Sequence, residues 1–302
     1  MNLNLIWTAL EDSYNGFNNI SFEGSMNTIA ELNLPSDWFI WLVAIMFFGS
    51  EPISSKQFMN ALPYGWADAL EERFASAAKQ GYLIADGMGG YHPTEKGAEA
   101  VRRMIQADSD VVSPINPLSE ENSQRLLDYL IRIANASLSA SEPPAKFIIS
   151  HKRNFMHPGK NASRNVLIVQ YLNELEGYRS DSHNTTWQVY NIKGHTWDFF
   201  SCLWRNGTSP FDKLFEKLQY NEVPESIYTQ DLQELIKRGW INEVSGENQL
   251  TVEGKKIRDG AETLTKQYFF APWACLNTTE QADLMNLATQ LSNGLQNPKA
   301  EL

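Results

Sequence analysis

The sequence Gly-Tyr-Leu-Ile at residues 81–84 recurs 158 residues later as Gly-Trp-Ile-Asn at residues 239–242. Thr-Glu-Lys-Gly at residues 94–97 recurs at nearly the same offset as Thr-Val-Glu-Gly at residues 251–254. Self-similarity at one offset, sustained over about 80 residues, indicates an internal repeat. We therefore interpret the chain as two copies of one structural unit, separated near the small, polar, proline-ended stretch at residues 137–144.

Each copy is predicted to contain an apolar helix, a short helix, an amphipathic helix, two short strands and a long helix. In the first copy these elements cover residues 37–48, 54–61, 66–80 and 82–93, and the long helix starts at Thr94. In the second copy they cover residues 196–204, 211–218, 226–238 and 240–251, and the long helix starts at Thr251. Further helices are predicted outside the copies, at residues 3–14, 118–136, 166–177 and 277–295, the last with a capping box formed by Asn277 and Glu280.

This order of elements is that of a winged helix-turn-helix. The glycine–aromatic–aliphatic run, the wing and the Thr-x-x-Gly helix start resemble the multiple-antibiotic-resistance regulator (MarR) family, in which outer helices pair two subunits. The resemblance implies a mainly α fold with small β-wings, in which two tandem winged-helix units form an intramolecular pseudo-dimer. We predict a first unit over residues 1–140, a basic linker over residues 141–165 and a second unit over residues 166–302.

A second resemblance covers most of the chain. Ala-Leu-Pro-Tyr-Gly-Trp at residues 61–66, Arg-Ser-Asp-Ser-His at residues 179–183 and Ala-Pro-Trp at residues 271–273 are similar to a family of tandem helix-turn-helix proteins from actinobacteria. Some members of that family are encoded in natural-product clusters. This resemblance supports the tandem arrangement and says little about chemistry.

Composition excludes several classes of protein. An apolar fraction of 42% with nine Trp excludes a largely disordered chain. The most apolar run, residues 38–48, is shorter than the ~20 residues that a membrane-spanning helix needs. No signal peptide is recognisable, and two cysteines do not make a disulfide framework. We expect a soluble cytoplasmic protein with no membrane partner, no cofactor and no metal, either a monomer or a homodimer.

DNA binding is the obvious function for such a fold, and it depends on a recognition helix whose polar side chains reach bases and phosphates. The candidate residues in the second copy are Gln230, Gln233, Lys237 and Arg238. The net charge of −11 is concentrated in residues 1–144, with 8 basic and 18 acidic side chains, and neither wing carries Arg or Lys. The alternative is a winged-helix scaffold that has lost its nucleic-acid surface.

A polar and aromatic cluster precedes and enters the second copy. Aromatic walls desolvate charges and shift pKa values, so such a mixture suits a ligand pocket between the halves. We expect an anionic or aromatic small molecule there, with Asp181 orienting His183 as a base or hydrogen-bond donor. The candidate ligand-binding residues are Arg179, Asp181, His183, Trp187, His195 and Trp204. The alternative is a buried network that stabilises the fold; a metal site of Asp181, His183 and His195 matches no strong signature.

A basic stretch at residues 146–164 contains five Lys or Arg and two His but no acid. One interpretation is a phosphate or carboxylate contact. The other is a solvated connector that balances the acidic first half.

These observations leave more than one class of function. The leading hypothesis is a MarR-like, ligand-responsive regulatory protein with a possible DNA partner. The alternatives are an enzyme or biosynthetic accessory protein that uses the same pocket without binding DNA, and a protein-binding scaffold. The sequence identifies no catalytic residue.

Overall fold

The computed structural model describes residues 2–159 and 161–296 of the chain. The described residues are mainly helical, with two small two-stranded sheets, as the sequence predicts. The first half contains α1 (Leu3–Leu32), α2 (Trp38–Phe48), α3 (Ser55–Phe58), α4 (Ala67–Lys79), β1 (Leu83–Ala85), β2 (Tyr91–Pro93), α5 (Glu95–Val112) and α6 (Glu120–Ser139). The second half contains α7 (Phe147–Phe155), α8 (Arg164–Gln188), α9 (Gly194–Asn206), α10 (Phe211–Leu218), α11 (Glu225–Lys237), β3 (Ile241–Val244), β4 (Glu247–Leu250), α12 (Val252–Phe270) and α13 (Thr278–Gln296).

The chain packs as two compact units, and neither is continuous in sequence. Among the described residues, the helical unit comprises 2–51, 93–159, 161–181 and 268–296, and the winged unit comprises 52–92 and 182–267. The winged unit therefore contains the second and third helices and the wing of both copies. The domain boundaries at residues 140 and 166, and the pseudo-dimer, remain predictions from the repeat.

The core of the helical unit is aliphatic with a few large aromatic side chains. In this unit α1 packs against α5 and α13. Its fully buried members include Phe17, Leu130, Leu172, Tyr178 and Trp273. At about 25 cal/mol per Å² of apolar surface removed from water, burial of this kind is the main stabilising term.

Two of the predicted helices in this unit prove longer than the sequence suggested. Helix α1 continues to Leu32 instead of ending near residue 14, and α8 begins at Arg164 and passes through Gly177. The glycines within these helices serve close packing. A Cβ at Gly24 would lie 2.8 Å from Val111 Cγ1, and one at Gly177 would lie 3.0 Å from Lys152 Cδ.

The winged unit is organised around α9. Helices α10 and α11 and strand β4 contact α9, and the core includes Trp197, Phe200, Tyr228 and Trp240. The wing is an antiparallel hairpin with Ile241 opposite Leu250. In both copies, a residue in the turn before the short helix pairs with the second wing strand: Ile53 with Tyr91, and Ser209 with Asn248.

The helix starts follow the predicted local chemistry. The Thr94 hydroxyl accepts from the Gly97 N–H at 3.1 Å, and the Thr251 hydroxyl accepts from the Gly254 N–H at 3.0 Å. Asn277 accepts from the backbone of Glu280, whose carboxylate accepts from the Asn277 N–H at 2.8 Å. The capping box is confirmed, because two N–H groups at the helix start are satisfied reciprocally.

The Pro63–Trp66 segment of the first copy lies on the second copy within the winged unit. Tyr64 and Trp66 pack at the edge of the core around Trp197, and the Trp66 ring lies 5.7 Å from that of His195. A Cβ on Gly194, the first residue of α9, would lie 1.8 Å from the Pro63 carbonyl oxygen. Only glycine at position 194 leaves room for this backbone contact.

Gly194→Ala should therefore destabilise the protein, since backbone must move to admit the methyl group. We expect a loss of about 1–3 kcal/mol in the free energy of unfolding. Gly260→Ala is the matched control, because Gly260 lies in α12 and a methyl group added there would meet no atom within 4 Å. That control should gain about 0.5–1 kcal/mol from helix propensity. Urea unfolding measures both; equal effects of the two substitutions would contradict the contact.

Candidate functional site

Asp181, in the helical unit, is a helix cap. Its side chain is buried, at 4% exposure, and its two carboxylate oxygens accept from the backbone N–H groups of Ile148 at 2.9 Å and Ile149 at 3.0 Å. Those groups belong to the first turn of α7, which has no partner for them within the helix. The expectation that Asp181 orients His183 is therefore corrected: Asp181 holds the start of α7.

Burial also sets the protonation of this carboxyl. Desolvation raises the pKa of Asp181 to about 7, against the opposing effects of the Ile149 and Ile148 N–H groups and of the Lys152 ammonium. Arg179, the other predicted member in this unit, is half-buried two residues away.

His183, in the winged unit, has a partner for each ring nitrogen. The Trp197 indole N–H donates to His183 Nε2 at 3.1 Å, which makes Nδ1 the protonated nitrogen of the neutral ring. Nδ1 lies 3.2 Å from Thr265 Oγ1, which therefore accepts from it. These contacts fix the imidazole as part of the fold.

Three aromatic rings stack beside His183. Trp197 lies between Trp187 and Tyr190, at 6.1 Å from each ring and nearly parallel to both. The Trp187 indole N–H donates to Asn184 Oδ1 at 3.3 Å. This offset stacking stabilises the junction of α8 and α9, and Trp187 takes part in packing.

Arg258 is a central residue that sequence reasoning missed. Its guanidinium lies 4.3 Å from the Trp204 ring and 5.5 Å from the Trp197 ring, and its Nε donates to Ser201 Oγ at 3.0 Å. Burial lowers the pKa of Arg258, while the neighbouring Glu262 opposes that effect. Trp204 itself donates its indole N–H to Asp259 at 2.8 Å. The feature of the sequence that could have pointed to Arg258 is its spacing of four residues from Glu262 on one helix.

His195 anchors the candidate recognition helix of the second copy. Its Nδ1 lies 2.5 Å from Asp231 Oδ2, and the Thr196 hydroxyl donates to Asp231 Oδ1 at 2.7 Å. All three side chains are buried. Asp231 thus faces the core and contributes no charge to the outer surface of α11.

The exposed residues of α11 are mostly uncharged, and its exposed charged residues are Glu225 and Lys237. Gln230, Gln233 and Lys237 are exposed there. Arg238, the fourth predicted DNA-binding residue, has structural contacts: it pairs with Glu234 at 2.7 Å, and it donates to the Tyr190 and Asn191 carbonyls. We call the surface formed by Gln230, Gln233 and Lys237 the α11 face.

The corresponding helix of the first copy differs in character. The exposed residues of α4 are Ala67, Asp68, Glu72, Ala75 and Lys79. Arg73 of α4 forms an ion pair with Glu222. With Asp68 and Glu72 against Lys79, the exposed surface of α4 carries a net negative charge, which disfavours contact with a polyanion.

Part of the basic stretch at residues 146–164 is helical. Residues 147–155 form α7, with Ile148 and Ile149 buried. Lys152 pairs with Glu176 at 2.6 Å, and Arg153 pairs with the fully buried Glu174 at 2.5 Å. Acidic groups of α8 therefore pair with these two cations, and the interpretation of the rest of the stretch stays a prediction.

Within the described part of the chain, no group of three or more His, Cys, Asp or Glu side chains is placed to hold a metal ion. The trio Asp181, His183 and His195 has the separate partners given above. No helix among the described residues is long and apolar enough to cross a bilayer.

Residues 160–300 match the sequence model of a helix-turn-helix family. No curated protein and no solved structure matches the chain. The matched residues include α9–α11, so the match agrees with the fold described above and supports a helix-turn-helix protein.

The protonation of Asp181 predicts a pH-dependent stability. The carboxyl has a pKa near 3.9 in an unfolded chain and about 7 in the native protein. At a pH between these two values, the carboxyl is protonated in the native protein and ionised in the unfolded chain. The stabilisation from this difference in proton binding is complete below pH ~4 and is lost as the pH rises to about 7.

Asp181→Asn removes that titration while keeping an acceptor oxygen. The free energy of unfolding of the wild type, relative to the variant, should fall by roughly 2–4 kcal/mol between pH 4 and pH 7 and then stay constant. Urea unfolding across this interval measures it. A difference that does not vary with pH would contradict the assigned protonation.

Proposed function

We propose that the protein is a helix-turn-helix regulatory protein that binds DNA through the α11 face of its second copy. The observation that carries the proposal is the orientation of α11. Asp231 is held inside by His195 and Thr196, so Gln230, Gln233 and Lys237 occupy the outer surface. These are side chains that suit a major groove: a glutamine amide can pair with adenine in two hydrogen bonds, and a lysine can contact phosphate.

The wing of the second copy has no basic side chain to add to this contact. Glu243 and Glu247 of its hairpin are exposed. Each phosphate contact contributes one counterion-release term to the affinity. With Lys237 as the one cation of the α11 face, we expect a shallow dependence on salt and modest affinity. A palindromic DNA site would require α11 from two chains, which fits a homodimer better than a monomer.

The MarR resemblance also predicts a small anionic or aromatic effector, and this remains part of the proposal without a residue assignment. Five of the six side chains that the sequence suggested for it make the contacts described above, and those contacts support a structural role: Asp181, His183, Trp187, His195 and Trp204. Regulation by a ligand therefore calls for a site elsewhere on the chain.

The test uses an internal comparison between the copies. Lys79 and Lys237 occupy equivalent positions, 158 residues apart, at the ends of α4 and α11. A duplex should first be enriched from a random DNA pool with the full chain, and its affinity measured by fluorescence anisotropy over a range of salt. Lys237→Ala should reduce the slope of log affinity against log salt by about 0.9, whereas Lys79→Ala should leave it unchanged.

Gln233→Ala should relax sequence preference as well as affinity. Loss of one bidentate contact costs about 1–3 kcal/mol at the preferred site and little at an unrelated duplex. Failure to enrich any duplex at low salt would contradict the proposal. An equal loss of slope with Lys79→Ala and Lys237→Ala would contradict the assignment to the α11 face.

A further inference from the structure

A polar cavity of about 280 Å³ lies in the helical unit, where the starts of α6 and α8 come together. Its volume lies just below the ~300 Å³ at which small-molecule sites usually begin. The residues that line it are Ser113, Asn116, Leu118, Glu120, Ser123, Ser163, Arg164 and Asn165. Seven of these eight carry a polar or charged side chain, so the cavity suits a hydrophilic ligand.

Two long helices present their N-terminal ends here. The Ser119 hydroxyl accepts from the Asn122 N–H at the start of α6, and the Ser163 hydroxyl accepts from the Val166 N–H at the start of α8. In each helix, the backbone N–H groups of the two residues before the capped residue have no acceptor within the helix. The dipoles of both helices favour negative charge at these ends.

Arg164 adds a full positive charge to this wall. Its Nε donates to Gln124 Oε1 at 3.2 Å, which sets the direction of the guanidinium. Its nearest acid is Glu120, at 3.7 Å, and the Glu120 side chain is 91% exposed. A pair so long and so exposed to water contributes little, so Glu120 does not satisfy the guanidinium.

Ser123 is the second feature that indicates a ligand. The residue is 5% exposed and lines the cavity, yet its hydroxyl has no hydrogen-bond partner among the described residues. Because Ser123 lines the cavity, a ligand held there can pair with its hydroxyl. A bound oxyanion in the cavity would accept this hydrogen bond.

The geometry points to an oxyanion site that holds the phosphoryl group of a small metabolite. Its oxygens would accept from the Arg164 guanidinium, from the first-turn N–H groups of α6 and α8, and from the Ser123 hydroxyl. The volume leaves room for a short polar substituent beyond the phosphoryl group. This site is independent of DNA binding and would give the chain a place for an anionic effector.

Isothermal titration of the full chain with inorganic phosphate, and in parallel with glycerol phosphate, tests the site. We expect saturable one-to-one binding of both ligands. Glycerol phosphate should bind at least as tightly as inorganic phosphate, because the phosphoryl group is held in both cases. Arg164→Gln should weaken binding roughly tenfold or more, since a charge-assisted hydrogen-bonding partner is lost. Ser123→Ala should weaken it several-fold.

Two further variants make the result decisive. Glu120→Gln removes the one negative charge on the lining and should strengthen binding of either ligand. Arg102→Gln is the matched control, because Arg102 is an exposed arginine on α5 that pairs with Glu95 and Glu99. It should leave the affinity unchanged. Absence of saturable binding at low ionic strength, or equal losses with Arg164→Gln and Arg102→Gln in variants that melt like the wild type, would overturn the site.

Discussion

A buried carboxylate fixes the surface on which the functional proposal depends. Asp231 accepts from the Thr196 hydroxyl and pairs with His195, so α11 is tied to α9 by an acidic side chain that is 4% exposed. An uncompensated buried carboxylate is very costly, and the helix cannot rotate about its axis without separating these groups. The polar residues of the α11 face point outward as a consequence.

The two copies share an order of elements but use it differently. In the first copy, Trp66 packs against the second copy, and Arg73 of α4 pairs with Glu222. In the second copy, α11 keeps an exposed surface with amide side chains. If the second copy binds DNA as proposed, duplication of the unit followed by loss of one binding surface would account for this difference, because fold and function are separable.

The sequence predicted most of the elements and few of the tertiary roles. Helix starts at Thr94, Thr251 and Asn277 were predictable because a cap depends on a few neighbouring residues. The lengths of α1 and α8 were not predictable, because a glycine within a helix indicates a helix end. Gly24 and Gly177 instead leave room for side chains of neighbouring helices, which only the tertiary structure shows. The sequence also did not show which partners Asp181 and Arg258 would contact, for the same reason. Asp181 finds its partners 32 and 33 residues away, and Arg258 stacks on indoles that only the tertiary fold brings to it. The mixture of aromatic and ionisable residue types suggested a ligand pocket, whereas five of the six side chains make contacts that support a structural role.

Hydrogen–deuterium exchange of the full chain, with and without an enriched DNA duplex, tests the central claim most directly. Because one face of one helix is proposed to contact DNA, amides of residues 225–237 should exchange more slowly in the complex, and those of residues 67–79 should exchange at the same rate in both samples. Protection of residues 67–79 equal to that of residues 225–237, or a bound duplex that leaves residues 225–237 unprotected, would contradict the account.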